Sequence, residues 1–205
     1  MFASTLACCA ALIGSPAASG PHLVARLTPQ PQQLVVREGH YGLRGVSVSI
    51  GVPEGAEYEA CGWVLSDALR IAGATAETRR ADRKTGNRFT LGAGCDVPPL
   101  PAKGIAQEGY ALAIGPKGAA AAAASPAGLL YASQTLRQLT RIFAEEGRLP
   151  ALSIVDYPEF KVRGIYIEGG QERFGRIVAP DYLCEQIRRL AEFKMNTLEI
   201  GRAHV

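Results

Sequence analysis

The stretch Tyr110-Ala-Leu-Ala-Ile-Gly-Pro-Lys-Gly-Ala-Ala-Ala-Ala-Ala-Ala-Ser-Pro-Ala-Gly-Leu-Leu-Tyr131 decides how the chain is organised. Alanine is the best helix former, so propensity alone would run a helix through residues 119–124. Two features oppose that. Residues 110–114 and the alanines flank Gly115-Pro-Lys-Gly118, which predicts a hairpin around a four-residue turn. Ser125-Pro126 is then a strong helix start, with serine as N-cap and proline at the first helical position. Residues 119–124 are therefore expected to form a buried strand of small side chains, and a helix to run over 126–146. Its apolar stripe is Leu129, Ala132, Leu136, Leu139 and Phe143, and Gly147 closes it.

Toward the N-terminus, residues 34–36 and 46–50 are short β-branched runs separated by glycine-containing turns, and both read as strands. A Pro/Gln-rich lead-in precedes them at 21–33. Over 57–72 the apolar residues Cys61, Val64, Leu65, Ala68, Leu69 and Ala72 recur at helical spacing, and Gly73 supplies the stop. One or two strands are expected in 74–91, with 88–91 the better candidate, before a Pro/Gly loop at 92–104.

Toward the C-terminus, residues 152–155 read as a strand that leads into Asp156-Tyr157-Pro158. Proline forces the preceding residue into extended geometry, which suits a domain junction. Beyond it the pattern predicts a buried strand at 162–168, a polar loop at 169–178, and a helix opened by Pro180. The inward face of that helix is Leu183, Ile187, Leu190 and Ala191, and Asn196 is expected to end it in the left-handed conformation. A new strand begins at 195–198. Strand, loop, helix and strand within about 40 residues make one βα unit and the start of the next.

The 205 residues are 47% hydrophobic and 20% charged, which suits a soluble globular protein with a real core. The net charge of +3 comes without a Lys/Arg block or an aromatic-interleaved basic stripe, so nucleic acid is not an expected partner. No apolar run is long enough for a transmembrane segment. The cysteines Cys8, Cys9, Cys61, Cys95 and Cys184 show neither CxxC nor Cys/His ligand spacing, so no metal site is expected. Cys61 and Cys184 sit in helical patterns and read as buried free thiols. A Cys61–Cys95 bridge is the alternative in an oxidising compartment. Residues 1–20 hold a short apolar run, Leu6 to Gly14, followed by small residues. Although no Lys or Arg precedes the run, the pattern fits a signal segment, and the protein is expected to be exported, periplasmic or secreted.

The last seven residues, Glu199-Ile-Gly-Arg-Ala-His-Val205, break the pattern. Back-translated, they fit GAG ATC GGA AGA GCA CAC GTC, which from its second base is the start of a widely used short-read sequencing adapter. Residues 199–205 are accordingly set aside as a non-native tail, and His204 is given no role.

Several landmarks line up in order: Leu27-Thr-Pro-Gln-Pro31, Glu108-Gly-Tyr110-Ala-Leu112, Ala127-Gly-Leu-Leu-Tyr131, Gln134-Thr-Leu-Arg-Gln-Leu139, Leu149-Pro150, Ile154-Val-Asp-Tyr-Pro158, Val162-Arg-Gly164 and Lys194-Met-Asn196. Their order and spacing resemble glycoside hydrolase family 20, the β-N-acetylhexosaminidases, over about residues 27–198. The resemblance implies a non-catalytic α+β domain at 24–157, a sheet with helices on one face, followed at 158–198 by the first βα unit of a truncated (β/α)8 TIM barrel. The family 84 N-acetylglucosaminidases are the near neighbour. A non-enzymatic α+β module that binds glycans or proteins is the rival reading, because residues 24–157 hold no convergent set of histidine, carboxylate and nucleophile.

The resemblance further implies a retaining hydrolase of terminal N-acetylhexosamine, acting on an amino-sugar glycan without metal or organic cofactor. In such enzymes the substrate's own acetamido oxygen attacks the anomeric carbon. An adjacent Asp-Glu pair beyond the fourth barrel strand orients that group and supplies the general acid/base. A barrel needs about 250 residues, so the pair lies outside this chain and no catalytic residue is assigned. The family usually has Asp five residues after the Arg-Gly arginine and Arg three further on. Counting from Arg163, those positions hold Glu168 and Gln171, with Arg173 two residues later. Arg173 is the candidate sugar-hydroxyl contact, and Glu168 a candidate ligand or supporting carboxylate, with partnership to Arg163 as its structural alternative. Arg163 itself reads as structural, and Asp181 only complements the dipole of the last helix.

Overall fold

The computed structural model describes residues 26–81, 89–92, 96–168 and 179–201. Seven strands form one sheet: β1 (Gln33–Gly42), β2 (Ser47–Val52), β3 (Thr75–Arg80), β4 (Phe89–Leu91), β5 (Tyr110–Gly115), β6 (Gly118–Ala123) and β7 (Arg148–Asp156). Their order is β1-β7-β5-β6-β4-β2-β3. The half around β5 and β7 is antiparallel, whereas β3, β2, β4 and β6 run parallel. Helices α1 (Glu59–Ile71) and α2 (Pro126–Ile142) pack on each other and on the strands, so both cover the same face.

The alanine run is a strand. It pairs with β4 on one side and β5 on the other, and Gly115 faces Gly118 across the Pro116-Lys117 turn. Ladders on both sides take up backbone groups of this central strand, and that outweighs the few tenths of a kcal/mol by which alanine prefers a helix. The small side chains have a purpose. They let α2 start close to the sheet, where a Cβ on Gly128 would come within 2.5 Å of the Gly109 carbonyl oxygen and 2.9 Å of Ala123 Cβ. Ser125 caps α2 by accepting from the Gly128 N–H at 3.2 Å.

The expected stripe of α2 is wholly buried, from Leu129 to Phe143. The helix itself stops at Ile142, four residues before the expected end, and a turn continues to Gly147, which takes a positive φ of 65° and donates to the carbonyls of Phe143 and Ala144. The helix read at 57–72 begins as a short 3-10 turn, Ala56–Tyr58, and becomes α-helical at Glu59. Strand β1 runs well past the expected 34–36, with a register shift between Val36 and His40 where Gly39 has a φ of 99°. The 74–91 region holds two strands, β3 and β4, of which β3 forms the sheet's edge.

Beyond Pro158, β8 (Gly164–Glu168) and β9 (Thr197–Gly201) form a separate two-stranded parallel sheet, with α3 (Pro180–Glu192) between them in sequence. Three expectations fail here. The strand read as buried starts at Gly164, and Val162 and Tyr166 are exposed. Of the inward face assigned to α3, only Leu190 is buried, and Ile187 is 53% exposed. Both follow from one cause: the described residues place no second layer against these apolar side chains. The third concerns the end of α3, where the left-handed residue is Lys194 (φ 58°), not Asn196.

Cys61 is a buried free thiol, as expected. Burial raises its pKa, partly offset by a hydrogen bond with Ser133. Cys184 is free but exposed, against expectation, because it sits on the uncovered side of α3. Cys8, Cys9 and Cys95 lie outside the described residues.

Candidate functional site at the domain junction

The described residues bring together no catalytic constellation and no group of three His, Cys, Asp or Glu able to hold a metal. What they do build is a polar cluster where the seven-stranded sheet meets the βα unit. It lines a cleft of about 220 Å³ that includes Glu108, Tyr110, Asp156, Arg163 and Lys194.

Lys194 is its centre. The left-handed backbone just after α3 turns this side chain into the larger domain, where the Lys194 and Asp156 side chains are each 8% exposed. Its ammonium donates to Asp156 Oδ2 at 2.8 Å and to the Tyr110 hydroxyl at 2.9 Å. The Tyr110 hydroxyl donates to the same carboxylate at 3.0 Å and lies 2.6 Å from Thr135 Oγ1. The other oxygen, Oδ1, accepts the backbone N–H groups of Gln32 and Tyr157. A buried charge is costly unless paired and hydrogen-bonded, and here both carboxylate oxygens and the ammonium have partners. Burial lowers the pKa of Lys194, with the Asp156 charge pulling the other way. Burial, then the Asp156 charge, pushes the Tyr110 phenol well above its usual range.

Arg163 makes the second bridge. Its guanidinium lies 2.6 Å from Glu108 Oε2 and donates to the Tyr131 hydroxyl at 3.2 Å, to the Phe160 carbonyl at 2.7 Å and to the Lys194 carbonyl at 2.9 Å. It also stacks 5.5 Å from the Tyr131 ring centre, an arrangement that suits a planar cation. Burial raises the Tyr131 phenol, and the Glu108 charge adds to that. Asn196 completes the joint: its Oδ1 accepts the Arg163 N–H at 3.0 Å and its amide donates to the Lys161 carbonyl at 2.8 Å. Further along, Gln138 of α2 donates to the carbonyls of Thr28 and Glu192, and Arg141 pairs with Glu192 at 2.5 Å.

Arg163 is therefore structural, as read, but its carboxylate partner is Glu108. Glu168 ends β8 opposite Gly201, with its side chain outside the described residues, and Arg173 lies outside them altogether. The two candidate sugar contacts are not brought together by anything described. Asp181 stands in the first turn of α3. Residue-by-residue reasoning passed over Glu108, Tyr110, Tyr131, Asp156 and Lys194 as chemistry. Yet each belongs to one of the ordered landmark motifs, and the signal that could have found them was that those motifs share polar residues able to pair.

A seven-stranded sheet covered by two helices and joined by two ion pairs to a parallel βα unit defines the class of fold. Residues 24–157 match Glycosyl hydrolase family 20, domain 2. The chain belongs to glycosyl hydrolase family 20. Among solved structures it is similar to a product complex of a mutant β-hexosaminidase from Streptomyces plicatus, with 25% identity and a TM-score of 0.67 over 87% of this chain and 34% of that one. It is also similar to the family 20 β-N-acetylhexosaminidase from Streptomyces coelicolor A3(2), with 24% identity and a TM-score of 0.66 over 87% of this chain and 35% of that one. A protein named CpGH84D shares the fold at 16% identity and a TM-score of 0.63, over 83% of this chain and 29% of its own. The chain thus spans about a third of the length of the structures it matches. A comparison with curated proteins returned no match.

Proposed function

We propose that this chain is the front part of a β-N-acetylhexosaminidase-like glycoside hydrolase that removes terminal N-acetylhexosamine from amino-sugar glycans by substrate-assisted, retaining hydrolysis. In this reading residues 24–157 are the non-catalytic domain and residues 158–198 open the (β/α)8 barrel. Residues 1–20 export the protein, and residues 199–205 are foreign to it. The observation that carries the reading is the seating of a parallel βα unit, β8, α3 and the start of the next strand at Thr197-Leu198, on a family 20 domain through Lys194–Asp156 and Arg163–Glu108. Strands of such a barrel present the site at their C-terminal ends; Glu168 is the last residue of β8, and Glu168 and Arg173 are the sugar contacts this reading proposes.

The present chain supplies no Asp-Glu pair and is inactive in this reading. Purified 1–205 should show no turnover of an aryl N-acetylglucosaminide, and the longer gene product should show it. An uninterrupted reading frame that ends without further barrel strands and an adjacent Asp-Glu pair would sink the proposal. The likeness to CpGH84D supports a second reading, a family 84-type N-acetylglucosaminidase, and the same downstream sequence decides between the two. If residues 24–157 instead act alone as a binding module, that polypeptide should bind on a glycan array.

A further inference from the structure

The connection from β4 to β5 contains Val97-Pro98-Pro99-Leu100-Pro101-Ala102-Lys103, which the hydrolase reading leaves unused. Proline fixes its own φ at about −65° and forces the residue before it into extended geometry. Val97, Pro98 and Leu100 each precede a proline, and the three prolyl bonds are trans. The covalent structure therefore sets this run as a polyproline II helix, which has about three residues per turn. Its burial has the same period. Pro98 and Pro101 are half-buried against the domain. Pro98 lines a cleft with Ala113 and Ala120 on the helix-free face of the sheet, and a Cβ on Gly109 would come within 2.4 Å of Pro101 Cγ. The other two ridges, Pro99 with Ala102 and Leu100 with Lys103, are exposed, Leu100 to 41%. Among the described residues no backbone hydrogen bond joins 97–103 to one another or to the sheet, so their carbonyls are open acceptors. The flanks are tied down: Gly92 donates to the Ala121 carbonyl at 2.9 Å and Ile105 to the Pro158 carbonyl at 3.0 Å.

We propose that Pro99 to Lys103 is a docking segment for a second protein, one with an aromatic-lined, acid-rimmed groove that takes polyproline II helices. Such grooves grip two adjacent ridges and the carbonyls between them, and two adjacent ridges are what this chain leaves uncovered. The segment is already in its bound shape and held at both ends, so little conformational entropy is lost on docking. Lys103 gives the partner its charge. It is exposed and has no ion pair among the described residues, which calls for a carboxylate on the groove's rim. A sugar does not fit these ridges, which offer proline, leucine and alanine surface with one amine where a glycan needs several polar contacts. The inference goes beyond the hydrolase reading and does not depend on it.

Titrating isotope-labelled 1–205 with an SH3 domain and, separately, with a WW domain tests this, since both folds bind polyproline II through aromatic grooves. At least one should shift the amide signals of Leu100, Ala102 and Lys103, with a Kd in the micromolar to submillimolar range. Leu100→Ser and Lys103→Glu should each weaken that binding several-fold while leaving the Tm unchanged, because both side chains are exposed. Alanine in place of the probe's groove tryptophan should abolish it. No shift with either domain, shifts that survive loss of the groove tryptophan, or unchanged affinity in both variants would overturn the proposal. So would self-association of 1–205 that Leu100→Ser removes, which would make the occupant a second copy. The same titration on the full-length protein should reproduce the shifts. Their loss there would show that the enzyme covers the segment itself, and would also overturn the proposal. Absence of glycosidase turnover would remove the hydrolase reading and leave this one standing.

Discussion

Helices α2 and α3 both carry proline in their first turn and an apolar stripe at helical spacing, yet α2 buries ten residues and α3 buries only Leu190. The difference lies in what surrounds them. α2 has the sheet beneath it and α1 beside it, so even its polar Ser133 and Thr140 are buried, each donating back to a carbonyl one turn earlier. α3 touches α2 along one edge and leaves Tyr182, Ile187 and Phe193 exposed. An amphipathic pattern records that a face was selected to be covered. It does not record by what, and among the described residues nothing covers most of the α3 stripe.

If the βα unit is held mainly by the junction and the larger domain by its core, the two regions should respond to different substitutions. The largest effect is expected at the joint. Lys194→Ala leaves Asp156 buried without its cation, which typically costs about 3–5 kcal/mol. Hydrogen exchange should show β8, α3 and β9 losing protection while β5 and β7 keep theirs. Uniform loss across both regions would mean that they unfold as one body.

Leu136, fully buried on α2, comes next. Its replacement by alanine should cost about 2–5 kcal/mol in urea unfolding of 1–205 and lower the protection of the whole seven-stranded sheet. The pH dependence sharpens the contrast further. Tyr110 has its folded-state pKa raised, so its neutral form is favoured in the fold. Its stabilising contribution is therefore complete below the ordinary tyrosine value and is lost as pH rises past it. Lys194, with a lowered folded-state pKa, acts with the opposite sign, gaining stability as pH rises toward the ordinary lysine value. A spectrophotometric titration should find at least one tyrosine that ionises only when the protein unfolds, and Tyr110→Phe should remove it. The smallest effect is expected at Ile187, where alanine should change the stability of 1–205 by less than about 0.5 kcal/mol, as for most exposed positions. A large loss there would show that α3 is already covered in this chain.

The reading of the alanine run shows how much was legible locally. Glycines bracketing a two-residue turn and a Ser-Pro start overrode six helix-favouring alanines, and the ladders to β4 and β5 bear that out. The end of α2 was less legible. Residues 143–146 continue a helical composition, but Gly147 takes the left-handed conformation and its carbonyl accepts the Leu43 N–H at 2.8 Å, a tertiary contact that no local pattern shows. The exchange of roles between Lys194 and Asn196 has a similar cause. Asparagine is the usual choice for a left-handed residue. Here, however, its side chain is engaged by Arg163 and Lys161, and the partners of Lys194 more than offset the strain at its own backbone.

By itself the sequence determined most elements of the seven-stranded domain, the faces that α1 and α2 bury and, through the order of its landmark motifs, the family. The elements and buried faces follow from local propensity, turn chemistry and apolar spacing, which act over a few residues and need no knowledge of neighbours. Only the tertiary structure decided that Glu108, Tyr110, Asp156, Arg163 and Lys194, separated by up to 86 positions, become one joint. Buried charges select their partners by distance and desolvation in three dimensions, and no periodicity along the chain encodes that choice.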